Sequence, residues 1–94
     1  METEVREDPE NRRFELYADG ELAGKADYRV RDGLTVVTHS EVDPRFRGQG
    51  LGNELARQTL DLLRGQGARV VPSCPFFAKY VAEHREYADL IEDS

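Results

Sequence analysis

The sequence has one cysteine and one methionine among its 94 residues, and it has no tryptophan. The single cysteine, Cys74, cannot form a disulfide within the chain, which predicts a free thiol in a reducing compartment. No apolar run approaches the roughly 20 residues that a membrane-spanning helix requires. The first residues are acidic, whereas a secretory signal peptide has an apolar core. These absences predict a cytoplasmic protein that does not cross a membrane.

Positive charge and metal ligands are also scarce. Thirteen Lys and Arg residues face 19 Asp and Glu residues, which gives a formal net charge of −6. Nucleic-acid binding depends on the neutralisation of phosphates, so a nucleic-acid partner is not expected. The two histidines and the cysteine lie far apart in the sequence, without the spacing of zinc ligands, and no metal site is expected. We expect a monomer or a weak dimer.

The length of the chain predicts a single domain. A chain of 94 residues buries about 65% of the surface that its unfolded form exposes, which is enough for one core. Residues 1–94 are therefore expected to fold as one unit, in which the polar segment 1–11 is flexible.

The first half of the chain has the pattern of antiparallel strands. Alternating apolar residues predict three strands in meander order, and they cover residues 12–18, 21–30 and 34–42. Asp19-Gly20 and Asp32-Gly33 lie between these strands, and Asp-Gly is a strong signal for a hairpin turn. On the second strand, three apolar side chains are expected to share one face: Leu22, Tyr28 and Val30.

The second half changes to a helical period. Apolar residues recur at helical spacing over residues 50–64 and predict an amphipathic helix, which Gly65 ends. Residues 68–71 predict a short strand, and a second helix begins at Pro75. The order strand, helix, strand predicts that residues 34–42 pair in parallel with residues 68–71. The expected fold class is α/β (α+β), with a mainly antiparallel sheet, one parallel strand pair and two or three helices.

Glycines at positions 48, 50 and 52 surround the start of the predicted helix. A helix N-terminus presents unpaired N–H groups and about half a positive charge, so it favours an anion. Glycine lets the backbone approach phosphate oxygens, and Arg45 and Arg47 add charged donors. The spacing Gly-x-Gly-x-Gly matches neither a Walker A loop nor a Rossmann loop. Spacing alone leaves a phosphate site and a structural turn as equal alternatives.

The segment RGQGLG, residues 47–52, resembles the Arg/Gln-x-x-Gly-x-Gly/Ala loop of the GNAT superfamily of acyl-CoA-dependent N-acyltransferases. The preceding strand, which runs into HSEVDP, and the leucine-striped helix strengthen the resemblance. Residues 68–90, ARVVPSCPFFAKYVAEHREYADL, are similar to the end of a short single-domain branch that has Pro-x-Cys-Pro after its fifth strand. The resemblance extends over residues 34–91, and more loosely over the first two strands. It implies a minimal version of the GNAT-type fold.

The resemblance also implies acetyl-CoA, or coenzyme A, as a co-substrate. In the family, loop amides bind the coenzyme A pyrophosphate, here those of residues 47–52. Pantetheine then runs between two splayed strands, which correspond to residues 34–42 and 68–71. The cofactor-binding residues implied in this way are Val42, Arg45, Arg47, Gly48, Gln49, Gly50, Leu51, Gly52 and Cys74. The acceptor pocket is not defined, because most elements that shape it in longer GNAT enzymes have no counterpart in this sequence.

Acylation of an amine by a thioester requires a general base. His39 and Glu41 are two residues apart on one predicted strand, so they share a face. A carboxylate on this strand often serves as the base in the family, which implies that role for Glu41; the alternative is an ion pair with Arg45 or Arg47. His39 is the second candidate base, because its ordinary pKa lies near neutrality, and its alternative is packing on the strand.

Cys74 and Tyr80 complete the catalytic candidates. Pro75 suits the first position of a helix, which places the Cys74 thiol at a helix N-terminus, where a thiolate is favoured. Cys74 is then either a nucleophile in a two-step transfer or a small apolar residue that lines the pantetheine channel. Many GNAT enzymes carry, on the helix where Tyr80 lies, a tyrosine that protonates the leaving thiolate; the alternative for Tyr80 is a core aromatic.

Two functions are compatible with the sequence. The first is an N-acetyltransferase that moves an acetyl group from acetyl-CoA to an unidentified amine, either a small molecule or a lysine side chain. The second is a non-catalytic module that binds CoA or acyl-CoA. The motifs do not separate the two functions, because both require the same loop.

Overall fold

The computed structural model describes residues 1–92, and two Asp-Gly turns govern its first half. Both residues of each turn have positive φ: 48° and 85° at Asp19 and Gly20, and 53° and 78° at Asp32 and Gly33. Positive φ at both central residues defines a type I′ turn, whose twist matches that of antiparallel strands. The two predicted hairpin turns are therefore confirmed.

Five strands form one sheet in the order β1-β2-β3-β4-β5. The strands are β1 (Thr3–Asp8), β2 (Arg13–Ala18), β3 (Glu21–Arg31), β4 (Leu34–Val42) and β5 (Arg69–Pro72). Strands β1, β2 and β3 each pair antiparallel with the next strand along the chain, and β5 lies parallel to β4. The predicted meander and the predicted parallel strand pair are confirmed.

Two α-helices follow the meander. They are α1 (Leu51–Gly65) and α2 (Pro75–Glu83), and short 3₁₀ helices cover Pro44–Phe46 and Arg85–Leu90. The predicted fold class, a mainly antiparallel α/β sheet with one parallel pair and two or three helices, is confirmed. Within residues 1–92, no helix is both long enough and apolar enough to span a bilayer.

The N-terminal segment differs from the prediction. Residues 1–11 were expected to be flexible, but β1 lies within them and pairs with β2 along its whole length. Val5 is buried, and its N–H donates to Gln58 Oε1 at 3.0 Å. Glu7 accepts a 2.6 Å hydrogen bond from the Tyr28 hydroxyl. The polar composition hid the strand, because only one of its side chains points to the core and the others are charged or polar.

One face of β3 also differs from the prediction. Leu22 and Val30 are 47% and 55% exposed, although Tyr28 does pack against the core. Opposite β2, Leu16 pairs with Gly24 and Tyr17 pairs with Leu22. Ala23 is therefore the extra residue of a β-bulge, and a bulge shifts the alternation of side chains by one position.

The core lies between one face of the sheet and the helices. Buried side chains of β2, β4 and β5 meet those of α1 and α2 in one cluster. Its largest fully buried members include Phe14, Leu16, Val37, Leu55, Leu60, Leu63, Val70 and Phe77. Most of the helical stripe predicted over residues 50–64 supplies this burial, since Leu51, Leu55, Thr59 and Leu63 are buried. Leu62, expected in the same stripe, is 38% exposed, and Leu60 is buried instead.

Strands β3 and β4 approach each other closely at Gly24. A Cβ atom at this position would lie 2.8 Å from the carbonyl oxygen of Glu41. Real Cβ atoms do not approach a backbone atom so closely, so only glycine fits without a shift of one strand. Gly24 therefore fixes the backbone of Glu41 relative to β3.

We predict that Gly24→Ala lowers the free energy of unfolding by about 1–3 kcal/mol, because the added methyl group must push the two strands apart. Gly65→Ala is the matched control, since a Cβ there meets no atom within 4 Å; it should be neutral or stabilise by up to about 1 kcal/mol. Urea unfolding of the three proteins measures both effects. Equal stability of Gly24→Ala and the parent would show that the strands are not tightly held at this point.

Candidate functional site

The loop between β4 and α1 has a backbone that only glycine adopts without strain. Gly48 and Gly50 have φ of 83° and 72°, in the region where other residues cost about 1–2 kcal/mol each. Gly50 is also the N-cap of α1, and no side chain caps the helix there. The predicted helix start is confirmed, and the loop delivers the chain to it with an open N-terminus.

Six successive N–H groups at this N-terminus are free, from Gly48 to Asn53. Within residues 1–92 none of them has a hydrogen-bond acceptor, and the first bonded amide of the helix is that of Glu54, which donates to Gly50 O at 3.3 Å. Free N–H groups and the helix dipole together favour an anion. The amide of Arg47 differs from the prediction, because it donates to Pro44 O at 3.2 Å and is not free.

The two arginines of the loop have different surroundings. Arg45 is held by Asp43, whose Oδ1 lies 3.3 Å from its Nε, and the Arg45 guanidinium lies over the Phe46 ring. The backbone N–H of Arg45, followed by its side chain, lowers the pKa of Asp43 below its ordinary value. Arg47 has no carboxylate within 4 Å in the described part of the chain. Arg47 is therefore the loop cation that is free to meet an anion.

A cavity of about 330 Å³ lies beside the loop, and we call it the loop cavity. Its lining consists of Val42, Phe46, Arg47, Gly48, Gly50, Leu51, Gly52, Asn53 and Phe76. Gly52 faces the Phe76 ring, and a Cβ on Gly52 would lie 3.1 Å from Phe76 Cζ. This third glycine therefore serves the packing of α2 against α1, while Gly48 and Gly50 serve the turn.

Strands β4 and β5 part after a short parallel ladder. Their pairing begins at Leu34 with Arg69 and ends at Val37 with Pro72. The Cys74 N–H makes one more bond, to Val37 O at 2.8 Å. Residues 39–42 of β4 pair only with β3, so their other edge borders an opening. The expected splay between the two strands is present.

A second cavity, of about 220 Å³, lies along this part of β4, and we call it the strand cavity. It is lined by Ser40, Glu41, Val42, Gly52, Leu55 and Phe76. The strand cavity shares Val42, Gly52 and Phe76 with the loop cavity. The two cavities are therefore adjacent, and together they run from the free amides of the loop to Glu41.

Cys74 lies on the core side of the splay. It is 3% exposed and is the N-cap of α2, with Pro75 in the first turn, as predicted. Its Sγ lies 3.2 Å from Ser40 Oγ. Ser40 was not predicted as a site residue, although it stands between His39 and Glu41, and alternation along a strand places it on the opposite face from both.

His39 and Glu41 lie on the other face of β4. Their side chains are each 60% exposed, and His39 Nε2 is 3.7 Å from Glu41 Oε2. Lys25 on β3 brings its Nζ to 3.9 Å from Glu41 Oε1. The prediction that His39 and Glu41 share a face is confirmed. They are separated from Cys74 by the strand, so the candidate bases and the candidate nucleophile approach the splay from different sides.

Tyr80 lies within the core. It is 5% exposed, and its ring stacks on that of His84 with centroids 3.8 Å apart. Burial raises the pKa of the Tyr80 hydroxyl above its ordinary value, which makes it a weaker proton donor. Tyr80 lines neither the loop cavity nor the strand cavity. Its role as the acid for a leaving thiolate stays a prediction from the resemblance.

The functional groups at the site are of several kinds. They include free amides, the Arg47 guanidinium, the Glu41 carboxylate, the His39 imidazole and the Cys74 thiol. Groups of three or more His, Cys, Asp or Glu side chains that could hold a metal ion do not occur among the 92 described residues.

Comparison with known proteins gives a family and a fold. The family model described as GCN5-related N-acetyl-transferase matches residues 13–90. Among solved structures, the chain is similar to a GCN5-like protein from Staphylococcus aureus, with a TM-score of 0.70 and 19% identity over 97% of this chain and 89% of that one. No curated protein matches the sequence.

Two further structures match over part of their length. The ribosomal-protein-S18-alanine N-acetyltransferase from Escherichia coli has a TM-score of 0.55 and 29% identity, over 62% of this chain and 38% of that one. A GCN5-related N-acetyltransferase from Sphaerobacter thermophilus has a TM-score of 0.50 and 25% identity, over 79% of this chain and 28% of that one. The chain thus spans well under half the length of these two enzymes.

The burial of Cys74 leads to a prediction about thiol reactivity. A disulfide reagent such as DTNB should modify Cys74 at least about tenfold more slowly in the native protein than in urea, because a buried thiol reacts only when it is exposed. The rate of thionitrobenzoate release measures this difference. A native rate equal to the unfolded rate would mean that the splay is open to solvent on the core side.

Proposed function

Because the chain belongs to the family of GCN5-related N-acetyltransferases, whose match covers residues 13–90, we propose that it transfers an acetyl group from acetyl-CoA to the nitrogen of an amine. One observation supports this proposal above the others. The loop cavity and the strand cavity form a path from six free amides to the segment of β4 that carries Glu41. Such a path matches a donor with an anionic group at one end and a reactive group at the other.

The loop is the proposed site for the diphosphate of coenzyme A. The amides from Gly48 to Gly52 are free to donate to phosphate oxygens, and Arg47 adds a charged donor. Arg45 is already engaged by Asp43, so its part is to support the loop and add positive potential. The chain has a formal net charge of −6, so most of its surface repels anions. The free amides and Arg47 provide a local positive potential that attracts them.

The strand cavity is the proposed site for the pantetheine arm. Its apolar wall consists of Val42, Leu55 and Phe76, and the edge of β4 beside it has no strand partner beyond Val37. An unpaired strand edge offers N–H and C=O groups to an extended ligand. The amide groups of a pantetheine arm suit such an edge, and the apolar wall excludes water from it.

The chemistry needs a base at the far end of this path. Bound acetyl-CoA supplies a thioester carbonyl, which an amine attacks with formation of a C–N bond and loss of the thiolate. Glu41 is the proposed base that takes the proton of the amine, because this residue lines the strand cavity and its carboxylate is exposed to solvent on the open face of β4. His39, 3.7 Å away, is placed to accept this proton from Glu41 or through water.

Cys74 is the proposed wall of the same site on the core side. Cys74 is buried behind Ser40, which lines the strand cavity, with its Sγ 3.2 Å from Ser40 Oγ. The competing two-step route, in which the Cys74 thiolate first takes the acetyl group, would give the same products. Cys74 and Glu41 lie on different sides of β4, so each can be replaced without disturbing the other. Loss of Cys74 should abolish turnover only by the two-step route, and loss of Glu41 should abolish direct transfer.

Coenzyme A titrated into the protein tests the loop. We predict that Gly50→Leu weakens coenzyme A binding by about tenfold or more, because loss of even one charge-assisted hydrogen bond costs about 1.5–3 kcal/mol. Gly67→Leu is the matched control. Gly67 has a similar φ of 69°, and no atom lies within 4 Å of its Cβ position, so leucine there causes a similar backbone strain. Gly67 follows the opposite end of α1, so this variant leaves the loop unchanged.

Isothermal calorimetry with both variants, and circular dichroism to confirm their folding, separates the outcomes. Weakened binding in Gly50→Leu alone supports the loop site. Unchanged affinity in a folded Gly50→Leu protein would remove the loop from the binding site. Absence of heat with the parent protein would overturn the proposed function itself.

Thiol release from acetyl-CoA across a panel of amines tests turnover. We predict that Glu41→Gln lowers kcat by about 10²–10⁴-fold, the range of a general base, and that His39→Ala has a smaller effect. Cys74→Ala should retain most activity if the thiol only lines the channel. A loss in Cys74→Ala as large as that in Glu41→Gln would favour the two-step route. Tight binding of acetyl-CoA without release by any amine would favour a non-catalytic binding module.

A further inference from the structure

The open face of the sheet carries two rows of alternating charge. Charged side chains that lie opposite one another in these rows differ in sign. The first row runs Arg6, Glu15, Lys25, Glu41, and the second runs Asp8, Arg13, Asp27 and ends at the imidazole of His39. Opposite charges on directly paired residues stabilise a sheet, and like charges destabilise it. The face is therefore patterned, and each cation within a row lies between two anions.

Both rows end at β4. Strand β5 pairs with β4 only as far as Val37, so no strand continues the rows past Glu41 and His39. Lys25, 3.9 Å away, is the cation on one side of Glu41, and the far side faces the splay. Because charges alternate along the first row, a positive charge placed beside Glu41 on the side away from Lys25 would continue the pattern.

A third cavity, of about 300 Å³, lies beside the end of the first row, and we call it the face cavity. Its charged lining residues are Arg13, Glu15, Lys25, Glu41 and Asp43, three acids and two bases. Its apolar wall consists of Leu22, Val42 and Pro44. Leu22 is 47% exposed, so its side chain is accessible to a ligand in this cavity.

The face cavity joins the proposed donor path. Glu41 and Val42 line both the face cavity and the strand cavity, and Val42 also lines the loop cavity. Glu41 thus separates a cavity on the donor side from a cavity on the open face. A ligand in the face cavity would reach the same residue that the donor path reaches.

The Lys25 side chain shows what kind of ligand this cavity accepts. Its Nζ lies 3.1 Å from Asp27 Oδ2 and 3.9 Å from Glu41 Oε1, and its four-carbon stem belongs to the cavity wall. The chain thus places an alkylammonium group of its own beside Glu41. The shorter contact is with Asp27, so Lys25 can give up its contact with Glu41 and keep an ion pair.

We propose that the face cavity binds the acceptor, and that the acceptor is an alkylamine in its ammonium form. Its nitrogen takes the place at Glu41 that Lys25 contacts, and its apolar stem lies on Leu22, Val42 and Pro44. The naming of this ligand as the acceptor rests on the proposed transferase function, whereas the binding of an alkylammonium does not.

The charges of the cavity exclude other ligand classes. An acid would meet the carboxylates of Glu15 and Glu41, while Arg13, the nearest arginine, is already paired with Glu15 at 2.8 Å. A neutral alcohol would contact the apolar wall but would gain no ion pair at Glu41. The ammonium form is therefore the one that uses both the acidic lining residues and the apolar wall.

Titration of n-butylamine at pH 7, followed by amide chemical shifts in ¹⁵N-labelled protein without coenzyme A, tests the proposal. Saturable shifts are expected at Gly24, Lys25, Glu41 and Val42, and n-butanol should produce them only at higher concentration. Lys25→Ala should tighten butylammonium binding by about two- to fivefold, because a competing surface ion pair is removed. Glu41→Gln should weaken binding by a similar factor.

Lys79→Ala is the control for net charge, because Lys79 is an exposed lysine on α2; its affinity for butylammonium should equal that of the parent protein. Unchanged or weaker binding in Lys25→Ala, equal binding of butanol and butylammonium, or shifts confined to another surface would each overturn the proposal. If acetyl-CoA binds and amines are acetylated while the face cavity shows no shifts, the transferase function stands and the acceptor site is elsewhere. If the face cavity binds butylammonium but the protein does not bind coenzyme A, the proposed transferase function is wrong and the alkylammonium site stands.

Discussion

The parting of β4 from β5 is the constraint on which the rest of the site depends. Pro72 and Pro75 have no N–H group to donate to β4, and the Ser73 N–H donates back to Val71 O of β5. The Cys74 amide makes the last bond, to Val37 O, and α2 then carries the chain away. The edge of β4 that is left unpaired borders the strand cavity. Both rows of charge end at β4, because β5 does not pair with β4 beyond Val37.

Much of the scaffold could be predicted because its signals are local. Asp-Gly pairs fix the turns at 19–20 and 32–33 through their own backbone preferences, and the leucine stripe fixes α1 through its period. The bounds of β4 follow from a run of β-branched residues between a turn and a proline. The position of Cys74 at a helix N-cap follows from the proline after it.

The features that were missed depend on distant parts of the chain. Strand β1 looks like a polar tail until β2 and Gln58 supply its partners. The exposure of Leu22 follows from a bulge that no local pattern shows. Gly52 is required because the ring of Phe76 packs against it, and Ser40 belongs to the site because its hydroxyl contacts the Cys74 thiol. Neither contact is visible in the local sequence. Alternation along β4 was the one available signal for Ser40, since it separates that residue from both neighbours.

The two sides of the site differ in how far apart their parts lie in the sequence. The charged face is built by hairpins, in which partners such as Ala18 and Glu21 are three positions apart. The splay lies between β4 and β5, which α1 connects as a crossover. Val37 pairs there with Pro72, 35 positions further along the chain. Closing the longer loop costs more chain entropy, and the meander does not need it to hold its own strand pairs. Local release of β5 and α2 would therefore open the loop cavity and the strand cavity while the strands that carry the charged face remained paired.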